Sequence, residues 1–335
     1  LINSGNSWTA STPIRTLKAD KYIFAGINLT PAIINEITSR GLGAFSYKEF
    51  EQSISDLTNP TDGFVMFNTT YPAVTPGDAL ATSAEAAKAN PISIPVSRVV
   101  AKAAVVKSTS FVVNGGGTMQ NITYGWRNIN RRFYFIPKID GGIIKDYNWD
   151  SYNVNDFVRG TDQIPVNEAT ATPTTFSYAL ENSFNYIPGS SLVDQTTFLS
   201  IQGQFLPTQI CRIKTGVTAP QGATDFEFVN NPNGYGTFYV VRTDDGSSNY
   251  FITGTDAEKY AELCIAHAPD MPALTGGYSL SDNTFTNGMC YFHVLVNSAA
   301  SGQYGPYGIY RNQYYRMTLN SIQAPGNPDD NFDHN

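Results

Sequence analysis

The stretch YGPYGIYRNQYYRMTLNSIQAPG, residues 304–326, decides how the fold is read. From Tyr314 it alternates. Tyr315, Met317 and Leu319 fall on one face; Tyr314, Arg316, Thr318 and Asn320 fall on the other. A period of two with one apolar side is a strand buried on one face. Ala324-Pro325-Gly326-Asn327-Pro328 cannot continue a ladder. A polar tail with Asp329, Asp330 and Asp333 follows.

Working outward, the rest of the chain has the same character. Of 335 residues only 15% are charged while 13% are aromatic, and Thr, Asn, Ser and Gly are abundant. That is the composition of an all-β extracellular protein with polar, uncharged surfaces and many turns. A net charge of −7 argues against nucleic acid as a partner, because phosphate binding needs clustered cations. No apolar run approaches the roughly 20 residues of a membrane span, and no signal peptide is visible. Leu1 to Gly5 reads as an internal segment, so a mature or clipped form is expected. Cys211, Cys264 and Cys290 are too few for a disulfide framework; one bridge or free buried thiols remain open.

In the first part, Lys21–Asn28, Gly63–Asn68 and Ile92–Val106 read as strands, with an edge or bulge at Pro95. Asn121–Pro137 reads as two strands or one bent one. Thr30-Pro31 opens a helix that ends before Gly41, and Ser46 to Glu49 is a capping box for a second, toward Leu57. From Asp140 to Thr175 the periodicity fades, which places a domain linker or a long loop there. Beyond it, strands fall at Thr196–Pro207, Thr237–Thr243 and Gly288–Asn297. Thr255 to Glu258 is a capping box for a helix presenting Ala257, Tyr260, Ala261 and Cys264 on one face. This second part is expected to be a mostly antiparallel domain, a sandwich.

The chain shows no nucleophile elbow, phosphate loop, zinc-protease or dinucleotide motif, so no catalytic residues are assigned. Two matching pairs, Cys264 with His267 and Cys290 with His293, could supply a zinc site. On a helix the first pair can face together. On a strand the second pair points to opposite faces, so packing is the better reading and no metal or cofactor is expected. Thr243–Asn249 and Ser281–Gly288 cluster oxygen ligands suited to calcium, but Asp-Gly and Asn-Gly between strands are first of all turns. Tyr304, Tyr307, Tyr310, Tyr314 and Tyr315 could stack on sugars; cross-strand packing is the default. Asn28, Asn68 and Asn121 match the glycan acceptor pattern, which arises by chance in a Thr- and Asn-rich chain.

The ordered set of motifs resembles the fimbrillins of Bacteroidales type V pili, in particular the Mfa-type subunits. Gly308, Arg311, Asn312, Tyr315, Ser321, Ile322, Pro325 and Gly326 match the closing signature of that family. Thr175–Ser183, with Glu181 and Asn182, is similar to the start of its C-terminal domain, and Gly288–Asn297 to one of its strands. Pro95–Val105 is similar to a late strand of its N-terminal domain. The similarity runs from about Lys18 to Gly326. The resemblance implies a mostly β, two-domain, transthyretin-like β-sandwich with a few short helices. Its expected parts are an N-terminal domain at 1–140, incomplete at its start, a C-terminal domain at 141–326, and a linker at 327–335 toward a missing donor strand. It implies a structural subunit of a cell-surface fimbria attached to the outer membrane. Such a subunit polymerises by protease-triggered donor-strand exchange and contributes to adhesion and biofilm formation. Implied partners are other fimbrial subunits, including anchor and tip proteins, and host surface proteins or glycans. The alternative is a tip or accessory adhesin. With Phe332 its one apolar residue, Gly326–Asn335 is not expected to act as a donor, since three carboxylates resist burial in an apolar groove.

Overall fold

The computed structural model describes residues 2–4, 7–40, 49–51, 57–58, 63–150, 153–168, 170–185, 195–297 and 307–331. The chain is mostly β, with three α-helices among the described residues, Pro31–Arg40, Ala84–Ala89 and Gly254–Ile265.

Two sheets face each other at its centre. In one, Gly117–Arg127 and Met289–Val294 flank Phe198–Pro207, all antiparallel, and Ile164–Pro165 adds to the outer side of Gly117–Arg127. In the other, the long strand Val100–Val113 pairs antiparallel with Ser177–Leu180 and parallel with Tyr314–Ile322. Alternation supplies the core between them. Ala101, Ala103 and Val105 meet Ile122, Tyr124, Trp126, Leu199 and Ile201, and Tyr315, Met317 and Leu319 pack against the same cluster. These last three are the apolar face expected of the closing strand, which runs Tyr314–Ile322.

Three further clusters lie beside this core. The first helix sets Ile33 against Val65, Phe67, Phe133 and Phe135. The helix Gly254–Ile265 buries Ala257, Tyr260, Ala261 and Cys264 against Cys211, Phe226, Val241 and Phe251. Phe205, Phe238, Tyr250, Phe285 and Cys290 form the last, with Phe238 and Phe285 stacked at 4.9 Å.

Several expectations are corrected. The division at residue 140/141 does not separate the sheets: Gly117–Arg127 and Val100–Val113 both pair with strands beyond it. Periodicity fades over 140–175 because that stretch forms a short hairpin, Lys138–Asp140 with Ile143–Lys145, and two-residue strands, too brief to show alternation. The second part is mostly antiparallel as expected, but its closing strand runs parallel to its partner. At Glu49–Glu51 the backbone is a strand on Arg132–Tyr134 where a helix is expected, tertiary pairing overriding a local capping signal; the rest of that segment, apart from Leu57, lies outside the described residues. Ile92–Val106 is broken at Val99 into Val96–Arg98 and the long strand. Over Lys21–Asn28 only Gly26–Ile27 forms a strand. The helix at 254 is capped by Thr253, whose hydroxyl accepts from the Asp256 N–H, two residues before the expected cap.

Candidate functional site

Six of the family-matching residues, Gly308, Arg311, Asn312, Tyr315, Glu181 and Asn182, converge on one junction where the last strand enters the body, with Glu181, Asn182 and Arg311 buried. Glu181 follows Ser177–Leu180, and Arg311 stands just before Tyr314–Ile322, so pairing of both strands with Val100–Val113 brings the two side chains together. They are 1% and 5% exposed. Arg311 Nε donates to Glu181 Oε2 and Nη2 to Oε1, each at 3.1 Å, a two-pronged match of guanidinium and carboxylate. The remaining N–H groups reach main-chain carbonyls: Nη1 to Phe135 at 2.8 Å and Nη2 to Tyr134 at 2.5 Å. One side chain thus ties together three segments distant in sequence.

The other four complete the junction. Asn182 and Ile309 exchange both main-chain hydrogen bonds at 2.8 Å, and the Asn182 amide donates to Gln195 O and Thr197 Oγ1. Asn312 takes a left-handed turn (φ 60°), which Asn tolerates, and donates its N–H to Val100 O. The Tyr315 hydroxyl accepts from the Tyr310 N–H at 3.0 Å, and its ring meets Trp126 edge-on. Gly308 leaves room for Tyr310: a Cβ there would lie 2.2 Å from the Tyr310 hydroxyl.

A second cluster fixes the residues after the last strand. Asn327 exchanges two main-chain hydrogen bonds with Tyr291, extending the sheet edge at Met289–Val294. Arg242 donates to Pro325 O and Gly326 O. Asp330 is then buried against the same sheet. Its carboxylate pairs with Arg127 Nε at 2.6 Å and Arg159 at 3.3 Å, accepts from Ser200 Oγ, and lies 3.4 Å from His293 Nε2. With Nε2 donating, His293 Nδ1 is left to accept from the Asn327 amide at 3.4 Å. Burial raises the Asp330 pKa, but hydrogen bonds from His293, Arg127 and Ser200 outweigh it and hold the carboxyl far below its ordinary range. Ser, His and Asp meet here, but the carboxylate sits between hydroxyl and imidazole. In a nucleophilic triad the imidazole takes that place. The tail expected as a free polar linker is therefore docked from Asn327 to Asp330, and a carboxylate expected to resist burial is buried because cations meet it.

The other singled-out residues serve packing. Cys290 is buried among Phe205 and Phe238 while His293 faces Asp330. Cys264 is buried, but His267 lies past the helix end with φ 51° and is exposed, so these two do not face together. All three thiols are free and buried, and burial pushes Cys211 and Cys290 up to about 12 and Cys264 to about 11. Thr243–Asn249 is a hairpin turn in which Asp245 accepts from Thr243 and Ser247. Tyr310 is buried. Tyr314 packs on Phe176 and Lys102, and Tyr304 lies outside the described residues.

Residues 283–335, which include the closing strand, Arg311 and the docked tail, match the family model described as major fimbrial subunit protein type IV, fimbrillin, C-terminal. The closing segment of this chain is thus similar to the C-terminal segment of the fimbrillins. No curated protein sequence matches the chain. Among solved structures it is similar to fimbrilin FimA from Porphyromonas gingivalis, at 13% identity over 86% of this chain and 69% of that one, with a TM-score of 0.39. It is also similar to the tip fimbrial protein Mfa3 from Porphyromonas gingivalis, at 15% identity over 68% and 77%, TM-score 0.32. A putative cell adhesion protein from Parabacteroides distasonis matches at 13% identity over 64% and 76%, TM-score 0.34.

Within the fimbrillin segment, Arg311 reaches back to Glu181, and Asp330 to Arg127 and Ser200, all outside the matched residues. The segment is thus anchored at both ends of its strand. Sequence reasoning singled out Arg311 and Glu181 as family-matching residues, without placing them together. It missed the second anchor, because Ser200 and His293 are polar residues in runs that read as plain strands. Only their cross-strand pairing, Ser200 opposite His293, makes a place for the carboxylate.

Proposed function

We propose that this chain is a structural subunit of a cell-surface fimbria, attached to the outer membrane through its assembly and contributing to adhesion and biofilm formation. The observation that carries this reading is the fimbrillin match over the closing strand. Subunits of a filament transmit load through their terminal segments. The buried Glu181–Arg311 pair and the Asp330 cluster fasten the closing strand on either side, as such a role requires. Assembly proceeds by donor-strand exchange once a protease removes a strand. A sheet edge lacking its neighbour leaves unpaired N–H and C=O groups that a supplied strand satisfies. The closing strand supports this: it pairs with Val100–Val113, and no other described strand pairs with Met317–Asn320. Gly308, Arg311, Asn312, Tyr315, Glu181 and Asn182 act as the junction that holds the closing strand to the body.

The test is assembly. The chain, carrying whatever precedes and follows it in its gene, is expressed, treated with proteases of differing specificity and examined by electron microscopy. Filaments in which this subunit repeats along the shaft support the proposal. A single copy at the filament end would assign the tip role instead, and monomers under all conditions would refute both.

A further inference from the structure

The turn Asp146–Trp149 holds an unexplained buried charge. Asp146 is 2% exposed. Its oxygens accept from the Asn148 N–H at 2.8 Å and the Asn130 amide at 3.1 Å, both neutral donors. Among the described residues no salt bridge reaches it: Arg311 is bound to Glu181, Lys145 to Asp140 and Arg132 to Asp156. A carboxylate so placed needs a proton or a cation.

Asn148 says which. It is 3% exposed, and neither its Oδ1 nor its Nδ2 has a hydrogen-bond partner. Burying a side-chain amide with both atoms unpartnered is costly, and a polar partner such as an ion with its waters removes that cost. Asp146, Asn148 and the exposed Asp150 stand in the spacing D-x-N-x-D, that of the first three side-chain ligands of a calcium-binding loop. The donors are all oxygens, with no thiol or imidazole among them, and this suits a hard cation. Calcium fits better than magnesium, because it accepts irregular sets of amide, carboxylate and water oxygens.

We propose that Asp146, Asn148 and Asp150 form a calcium site. Asp146 and Asn148 Oδ1 are ligands from inside, Asp150 closes the site from the solvent side, and retained waters complete the shell and accept from Asn148 Nδ2. With three side-chain ligands and one of them exposed, the affinity belongs to the weak range of extracellular modules, about 0.1–1 mM. The site lies next to the Glu181–Arg311 junction: Asn130 donates to both Asp146 and Glu181 O, and Ser183 Oγ accepts from the Asp146 N–H. Bound calcium therefore stiffens the base of the closing strand.

The experiment is calcium titration of the full chain after dialysis against a chelator. Calorimetry reads the stoichiometry, and the melting midpoint reads the coupling to folding. The expected result is one calcium per chain, a raised midpoint, and affinity weakened by about tenfold or more in both Asp146→Asn and Asp150→Asn. Asp150 is exposed, so its variant folds whatever happens at Asp146. Terbium luminescence sensitised by Trp149 locates the ion independently. No saturable binding would mean that Asp146 carries a proton and would overturn the proposal. So would binding unchanged in Asp150→Asn with no sensitised emission, which would place the ion at another turn.

Discussion

Replacing Arg311 by Met isolates what the junction contributes. Met fills much of the same volume but removes all four side-chain hydrogen bonds that Arg311 donates. Glu181, 1% exposed, is left as a buried carboxylate without its cation, and the carbonyls of Tyr134 and Phe135 lose their donors. Breaking one side of a buried pair costs about 3–5 kcal/mol, and the abandoned carbonyls keep the loss at the upper end of that range. Against a total of about 5–15 kcal/mol this is a large fraction. Urea unfolding followed by tryptophan fluorescence measures it. Hydrogen exchange locates it, since the amides of Asn182 and Ile309, bonded to each other's carbonyls, should lose protection first. Adding Glu181→Gln to Arg311→Met should restore part of the loss, with a coupling of about 0.5–3 kcal/mol, because no bare charge is then buried. If Arg311→Met unfolds within about 0.5 kcal/mol of the parent, with those amides still protected, the junction does not hold the strand and the reasoning fails.

Gly308→Ala should cost about 1–3 kcal/mol, because the new methyl meets the buried Tyr310 ring; Gly308→Ala with Tyr310→Phe should recover part of it in the same urea assay. Asp330→Asn should weaken the tail, read as faster proteolysis after residue 322 at pH 7. The Asp330 carboxyl titrates lower in the folded chain than unfolded, so its stabilisation is present above the unfolded value of about 4 and fades as pH falls below it. Parent and Asp330→Asn should therefore converge in acid, and a difference that persists at low pH would refute the charge argument. The three thiols should react with a thiol reagent only on unfolding, since burial keeps all of them protonated at neutral pH; fast labelling of native Cys290 would place it outside the core.

The chain by itself determined the elements whose signal is local. Period-two alternation set the faces of Tyr314–Ile322, and the apolar stripe of Gly254–Ile265 named its four buried residues, because side-chain direction follows from backbone geometry alone. Thr30-Pro31 likewise marked the first helix, where the Thr30 hydroxyl accepts from the Ile33 N–H. Tertiary structure decided what depends on strands meeting across long stretches of chain. The sequence says that Val100–Val106 is apolar enough for a buried strand, but not that Tyr314–Ile322 lies parallel beside it, or that Gly117–Arg127 joins Phe198–Pro207 across the expected boundary. The same holds for charge. Arg127, Ser200, His293 and Asp330 are unremarkable apart, and the sheet register alone makes them a carboxylate site. Asp146 has no local mark of its burial. Its environment is built by Asn130 and Ser183, and a side chain's solvation is set by what the fold packs around it rather than by its neighbours in the chain.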